Sequence, residues 1–238
     1  MIPITRHYVV VDGRLIHYRR AGQGPLLLLL HQSPQSSLDY VDLMQRWGDR
    51  FTMLAPDRPG CGQSDPLPSP ATFDFALWVD QVRAMIDVMP RGNVGLFGHS
   101  MSGAMALRVA SENPRITHIF TTGSAGTAFP LNRHLKALWT FPRSKEELRK
   151  NLGSLIYDTS VITDALIDQR WQILNQGDYP ARFAKMFGGD LQAHINAWEV
   201  SPAECARIKA AMTMNLGMIE AQDKINSFSN ELTPALQS

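Results

Sequence analysis

Val94-Gly95-Leu96-Phe97-Gly98-His99-Ser100-Met101-Ser102-Gly103 decides how the rest of the chain is read. Val94 to Phe97 is an apolar run of the length of a short buried strand, and it enters Gly98-His99-Ser100-Met101-Ser102-Gly103 with no loop between. Helical spacing begins at once, with Ala104, Met105, Leu107, Val109 and Ala110. A strand that turns straight into a helix forces the residue at the apex into a strained backbone conformation and admits only small residues two positions to either side. Gly98 and Ser102 meet that condition. Ser100 is therefore expected at the tip of the turn, its hydroxyl exposed, above the positive end and free N–H groups of a helix.

Outward from this stretch, strand and helix patterns alternate. Asp12-Gly13, between apolar-alternating runs at 7–11 and 15–19, predicts a two-residue hairpin, because Asp-Gly accepts positive φ. Leu26 to Leu30 is a continuous apolar run bounded by Gly22-Gln23-Gly24-Pro25 and His31-Gln32-Ser33-Pro34, as expected of a central strand covered on both faces. A helix is expected over 37–47, with Leu38, Val41, Leu43, Met44 and Trp47 on one face. A strand follows over 51–55, a helix over 73–89 and a strand over 116–122. Such alternation requires an α/β fold with a doubly wound, mostly parallel sheet, and ligands then gather at the carboxyl ends of its strands. From 127 to 206 the alternation stops and the pattern is helical throughout, in segments at 131–141, 145–152, 161–176, 179–187 and 191–198.

Gly98-His99-Ser100-Met101-Ser102 resembles the nucleophile elbow of the α/β-hydrolase family, Gly-x-Ser-x-Gly, with Ser102 in place of the last glycine. Three further stretches carry the resemblance. His31-Gln32-Ser33-Pro34 is similar to the oxyanion loop His-Gly-x-Pro, with Gln32 for glycine. Asp57-Arg58-Pro59-Gly60-Cys61-Gly62-Gln63-Ser64 is similar to the loop Asp-x-x-Gly-x-Gly-x-Ser, in which Asp57 and Asp65 are read as architectural. Residues 207–217 resemble the return strand that follows an inserted lid, with Ala211 where proline is usual.

The resemblance implies that Ser100 is the nucleophile and that the backbone N–H groups of Ser33 and Met101 receive the oxyanion. It implies that Glu220, three residues after Gly217, is the acid that orients a histidine, with Asp223 as the fallback. Gln32, His99 and Trp139 are the candidate substrate contacts. Residues 1–126 would be the first part of the hydrolase core, 127–206 a helical lid, and 207–238 the return strand and a helix, incomplete at the C-terminus. The lid's apolar residues, among them Phe129, Trp139, Trp171, Phe183 and Phe187, point to an apolar acyl or ring-bearing substrate. The activity implied is hydrolysis of an ester or related acyl substrate through an acyl-enzyme. Serine at the elbow argues against the epoxide and haloalkane chemistry that accompanies aspartate there, while carbon–carbon and amide hydrolysis and perhydrolysis stay open.

One part of the family pattern has no counterpart. The family's catalytic histidine follows a last strand, yet no histidine occurs after His194. A serine hydroxyl is a poor nucleophile until a base takes its proton, and in a comparable serine enzyme loss of that histidine costs on the order of 10⁶ in turnover. His134, His194 or a histidine from a second subunit would have to replace it. The alternative reading is a truncated or non-catalytic relative that binds a small apolar ligand without turnover. Apolar surface left by a missing strand and helix would favour a homodimer or marginal stability.

Composition excludes other classes. The 238 residues carry 23 basic and 22 acidic side chains, a net charge of +1, so there is no electrostatic case for nucleic acid or an anionic membrane. Cys61 and Cys205 stand in no metal or redox spacing, which suits a reduced, cytoplasmic setting. The first eight residues lack the basic region and apolar core of a signal peptide, and Leu26 to Leu30 is too short to span a bilayer. Neither metal nor cofactor is expected, since Gly22-Gln23-Gly24 precedes its strand instead of following one. The expected partner is a small apolar acyl substrate.

Overall fold

The computed structural model describes residues 1–32, 35–67, 75–154, 156, 158–208 and 212–216; of 212–216 the backbone alone is described. Strands β1 (Ile4–Val11) and β2 (Arg14–Ala21) form the expected antiparallel hairpin, in register from Ile4↔Ala21 to Val11↔Arg14. Asp12 (φ 48°) and Gly13 (φ 74°) supply the two positive φ angles of its turn. The other strands are β3 (Leu26–Leu30), β4 (Thr52–Pro56), β5 (Val94–His99), β6 (Ile116–Thr122) and β7 (Met212–Leu216). They complete a seven-stranded sheet of order β1-β2-β4-β3-β5-β6-β7, in which β3 to β7 run parallel. Leu27 to Leu30 are all buried, so β3 is covered on both faces.

The strand order creates the crevice. From β3 the chain moves to β4 on one side, then passes back to β5 on the other side of β3. Leu30 pairs with Gly98 at the carboxyl ends of β3 and β5, so the segments leaving these strands emerge side by side where the winding reverses.

Helices follow the apolar pattern in outline, with a clear difference at 37–47. The region expected as one helix over 37–47 is a 3₁₀ turn (Ser37–Tyr40) followed by α1 (Val41–Trp47). Tyr40 and Met44 are buried, whereas Leu38 is 46% exposed. Three residues per turn instead of 3.6 rotate Leu38 away from the side that the α-helical period assigns to it. Helix α2 (Phe75–Val88) buries Trp78, Val79, Val82, Met85 and Ile86. Beyond its end, Arg115 donates to the carbonyls of Ile86, Pro90 and Gly92. Helix α3 (Met101–Ala110) has Ser102, Gly103, Ala104 and Ala106 among its buried residues.

The helices α4 (Arg133–Leu138), α5 (Lys145–Gly153), α6 (Asp164–Leu174), α7 (Tyr179–Met186) and most of α8 (Leu191–Ala197) belong to a second compact unit, Phe129–Asn196. Its interior holds a run of aromatic contacts: Trp139 stacks on Phe187 at 5.7 Å, Phe187 meets Phe183 at 4.7 Å, and Phe183 meets Phe141 edge-on at 5.4 Å. Helix α9 (Pro202–Arg207) opens with a capping box between Ser201 and Glu204 and belongs with the sheet. Arg108 of α3 holds it there, with Nε 3.2 Å from the Glu204 carboxylate and an N–H donated to the Glu199 carbonyl.

Beyond β4, Asp57 ties several segments together. Its carboxylate accepts hydrogen bonds from the Ser37 N–H (2.6 Å), the Gln63 N–H (2.9 Å) and His17 Nδ1 (2.8 Å). Its N–H donates to the His17 carbonyl, while its own carbonyl accepts from Ser64 Oγ and Gln81 Nε2. Gly62 (φ 51°) wraps so closely that a Cβ there would stand 2.1 Å from the carboxylate. Burial works to raise the Asp57 pKa, but the His17 hydrogen bond and the N–H groups of Gln63 and Ser37 outweigh it and hold the carboxyl below its ordinary value. The stability this contributes is present above about pH 4, the unfolded value, and is lost as pH falls through the lower folded one. Asp57→Ala strands His17 in the interior, and urea unfolding at pH 7 is expected to give a loss of about 3 kcal/mol or more.

Candidate active site

Ser100 occupies the turn between β5 and α3 with φ 58° and ψ −128°, a positive φ on a residue other than glycine. This conformation is unfavourable for an L-residue and persists only where its surroundings enforce it. They do so from both sides of the peptide. The Ser100 N–H donates to the Thr122 carbonyl at the end of β6 (3.0 Å), and the Ser100 carbonyl accepts from Gly103 (3.0 Å) and Ala125 (3.1 Å). Gly98 permits the sharp turn, since a Cβ on it would lie 2.5 Å from the Ser102 carbonyl.

The side chain is treated differently from the backbone. A serine at a helix N-cap ordinarily spends its hydroxyl on the first-turn N–H groups. Ser100 makes no such capping bond, and its hydroxyl has no hydrogen-bond partner among the described residues. Met101 follows as the first residue of α3, and the first N–H groups of a helix have no acceptor within it. A half-buried hydroxyl therefore sits beside an N–H group at the positive end of α3, an arrangement suited to attack on a carbonyl carbon with local stabilisation of the resulting oxyanion.

His31 and Gln32 lie where β3 ends. His31 is fully buried: its Nδ1 faces the Gln32 carbonyl at 2.8 Å and its Nε2 receives the Arg58 N–H at 3.1 Å. These partners assign the proton to Nδ1 and leave the ring neutral. Burial, together with the Arg58 guanidinium 3.4 Å from the ring, lowers the His31 pKa to about 3. Arg58 is itself buried and stacks over the Trp78 ring at 4.8 Å. With both ring nitrogens engaged, His31 holds its loop. Gln32 is half-buried, and its carbonyl also accepts from the Gln35 N–H at 3.0 Å.

The fold thus brings Ser100, Met101, His99, His31 and Gln32 to one edge of the sheet. His99 Nδ1 is 2.5 Å from Thr122 Oγ1, and burial lowers its pKa, outweighing a backbone hydrogen bond with Thr122. Ser33 and Glu220, and with Glu220 the whole of 217–238, lie outside the described residues. Trp139 sits in the aromatic interior of the helical unit; His194, buried, and His134, exposed, belong to the same unit. Two contacts are not foreseen by the sequence. His17 meets Asp57 from 40 residues away, with no local signal in its strand. Ser102 bonds to the His31 carbonyl, and there a signal exists: Ser102 is the one departure from the elbow pattern. Among the described residues there is no cluster of three metal-binding side chains, and no helix is long and apolar enough to cross a membrane.

Comparison with known proteins gives a consistent set. A family model described as alpha/beta hydrolase fold matches residues 25–193. The chain is similar to the 2-hydroxymuconate semialdehyde hydrolase of Pseudomonas sp. strain CF600, at 27% identity over 231 residues, covering 95% of this chain and 80% of that protein. It is also similar to the 2-hydroxy-6-oxo-2,4-heptadienoate hydrolase of Pseudomonas putida strain F1, at 25% identity over 205 residues, covering 84% and 74% respectively. Among solved structures, the meta-cleavage product hydrolase of Pseudomonas fluorescens IP01 shares the fold with a TM-score of 0.82 at 21% identity over 96% of both chains.

The neutral, buried His31 makes stability depend on pH. The unfolded chain takes up a proton on this ring below about pH 6.5, whereas the folded chain does not until much lower pH. Between about pH 4 and 6 the unfolding free energy should therefore rise with pH, by about 1.4 kcal/mol per unit from His31 alone. Urea titrations of His31→Gln are expected to lose one proton's worth of that slope; an unchanged slope would show that His31 is protonated in the fold.

Proposed function

Because this chain belongs to the alpha/beta hydrolase fold family, we propose that it is a serine hydrolase in which Ser100 attacks a carbonyl carbon and forms an acyl-enzyme that water releases. The observation that carries this reading is the contrast at Ser100: both backbone polar groups are tied down at φ 58° while the hydroxyl is left unengaged among the described residues.

In the proposed reaction Ser100 Oγ bonds to the carbonyl carbon, its proton leaves to a general base, and the carbonyl oxygen becomes an oxyanion facing the Met101 N–H. The Ser33 N–H is the proposed second donor. Collapse breaks the bond to the leaving group, which takes up a proton, and leaves an ester on Ser100. Attack by water then frees the carboxylic acid and restores the hydroxyl. Glu220 is the proposed acid partner of the base. For the base itself, His17 and His31 are ruled out by burial and by their hydrogen bonds to Asp57, Gln32 and Arg58. His134, His194 or a histidine from a second copy is the proposed base.

Two substrate classes fit this chemistry. The names of the two similar Pseudomonas hydrolases support a ring-cleavage product, in which the bond broken is carbon–carbon and the leaving carbon takes the proton. An ester makes the same demand on Ser100 with a better leaving group. The second reading, a relative that binds such a ligand without turnover, is also allowed by a Ser100 hydroxyl that has no histidine partner among the described residues.

The test compares the parent with Ser100→Ala on a p-nitrophenyl ester and on a 2-hydroxy-6-oxo-hexadienoate, followed by its visible absorbance. The parent is expected to release a burst of nitrophenol and to consume the dienoate, and Ser100→Ala to lose at least about 10³-fold in turnover. Equal rates for the two proteins would remove Ser100 from the reaction and favour the binding reading.

A further inference from the structure

We propose that Ser102 is a positioning residue whose hydroxyl straps the first turn of α3 to the chain leaving β3 at His31, and so holds the Met101 N–H, the proposed oxyanion donor on α3, in a fixed frame with that segment. The reaction it serves is the serine hydrolysis proposed above. Ser102 Oγ donates to the His31 carbonyl at 2.5 Å, and both residues are fully buried, so water does not compete for either group. The bond spans 71 positions of sequence and joins the two segments that flank the crevice.

Without the strap, the register of β3 and β5 ends at Leu30↔Gly98, and nothing in that ladder fixes the segments leaving the two strands. Past this pair, the proposed donor Met101 N–H rides on α3, while His31 and Gln32 belong to the segment leaving β3. The hydroxyl supplies the missing tie. A planar peptide is oriented once its carbonyl is held, and here two successive carbonyls are held. Ser102 holds that of His31; the His31 ring and the Gln35 N–H hold that of Gln32. The Arg58 N–H in turn fixes the His31 ring from the β4 side.

The residue type matters. Glycine, which the elbow pattern has at this position, could not make the bond, and alanine would fill nearly the same volume without the donor. Ser102 does not cap its own helix either; its hydroxyl is directed to a different segment.

Ser102→Ala, Ser102→Gly and Ser102→Thr separate this role from simple packing. Three quantities would be read for each: the rate at which a fluorophosphonate labels Ser100, amide hydrogen exchange over 31–40, and the thermal midpoint. Ser102→Ala and Ser102→Gly are expected to label about ten- to a hundredfold more slowly, as a donor misplaced by about 1 Å would cause, and to exchange faster at the Gln35 amide. Ser102→Thr keeps a hydroxyl and is expected to recover most of the labelling rate.

A lower midpoint with unchanged labelling and exchange would overturn the proposal, leaving Ser102 a packing residue. So would a Ser102→Thr protein that melts with the parent yet labels as slowly as the alanine variant. If the parent itself is not labelled at Ser100, the serine-hydrolase reading fails, and exchange at Gln35 alone decides whether the strap exists.

Discussion

A carboxylate taken out of water has to be met by donors, and Asp57 is met from three directions: the hairpin strand β2, the 3₁₀ turn after β3 and the tight loop after β4. These are the segments that bound one side of the crevice. Gly62 is wrapped so closely around the charge that no side chain fits between. The arrangement of the loops therefore follows from satisfying one buried charge, and Arg58, the next residue in the chain, carries the order on to His31. A continuous chain of hydrogen bonds runs from His17 through Asp57, the Asp57–Arg58 backbone and His31 to Ser102, at the foot of the strained turn.

Ser100 is the point where local rules are broken and neighbouring strands enforce the exception. Its unfavourable φ is held by the end of β6 and the loop after it, through the Thr122 carbonyl and the Ala125 N–H. Strain fixed by fully satisfied backbone groups costs stability but leaves the hydroxyl uncommitted, which is the state a nucleophile requires. Gly98 and the small, buried residues of α3 let helix and strand approach closely enough for this to happen.

Local patterns in the sequence foretell local structure well. Asp12-Gly13 specifies its hairpin, the five leucines their central strand, and Gly98 to Ser102 the turn, because each depends on neighbours a few residues away. Leu38 escapes the pattern because an apolar period of 3.6 does not reveal a turn wound at three residues. The His17–Asp57 and Ser102–His31 bonds join residues 40 and 71 positions apart, and a single sequence holds no signal for such a pairing until the sheet order is known. Trp139 stands out as a substrate contact by its size and apolarity, which serve the stacking on Phe187 equally well. Ser33 and Glu220 rest on resemblance, and they lie outside the described residues.

The sheet order also says something about when the site comes into being. The hairpin of β1 and β2 closes over two residues, but β3 must wait for β5, with Leu28 pairing Leu96 across a long intervening chain. Contacts of such sequence separation repay the entropy of loop closure late and slowly. Ser100 stands on that seam. Two of the three backbone bonds that hold its φ, to the Thr122 carbonyl and the Ala125 N–H, come from partners that arrive when the parallel strands have zipped together, so a half-folded chain holds the turn only weakly. The turn that presents the Ser100 hydroxyl is thus absent from the nascent polypeptide and appears only as the sheet is completed.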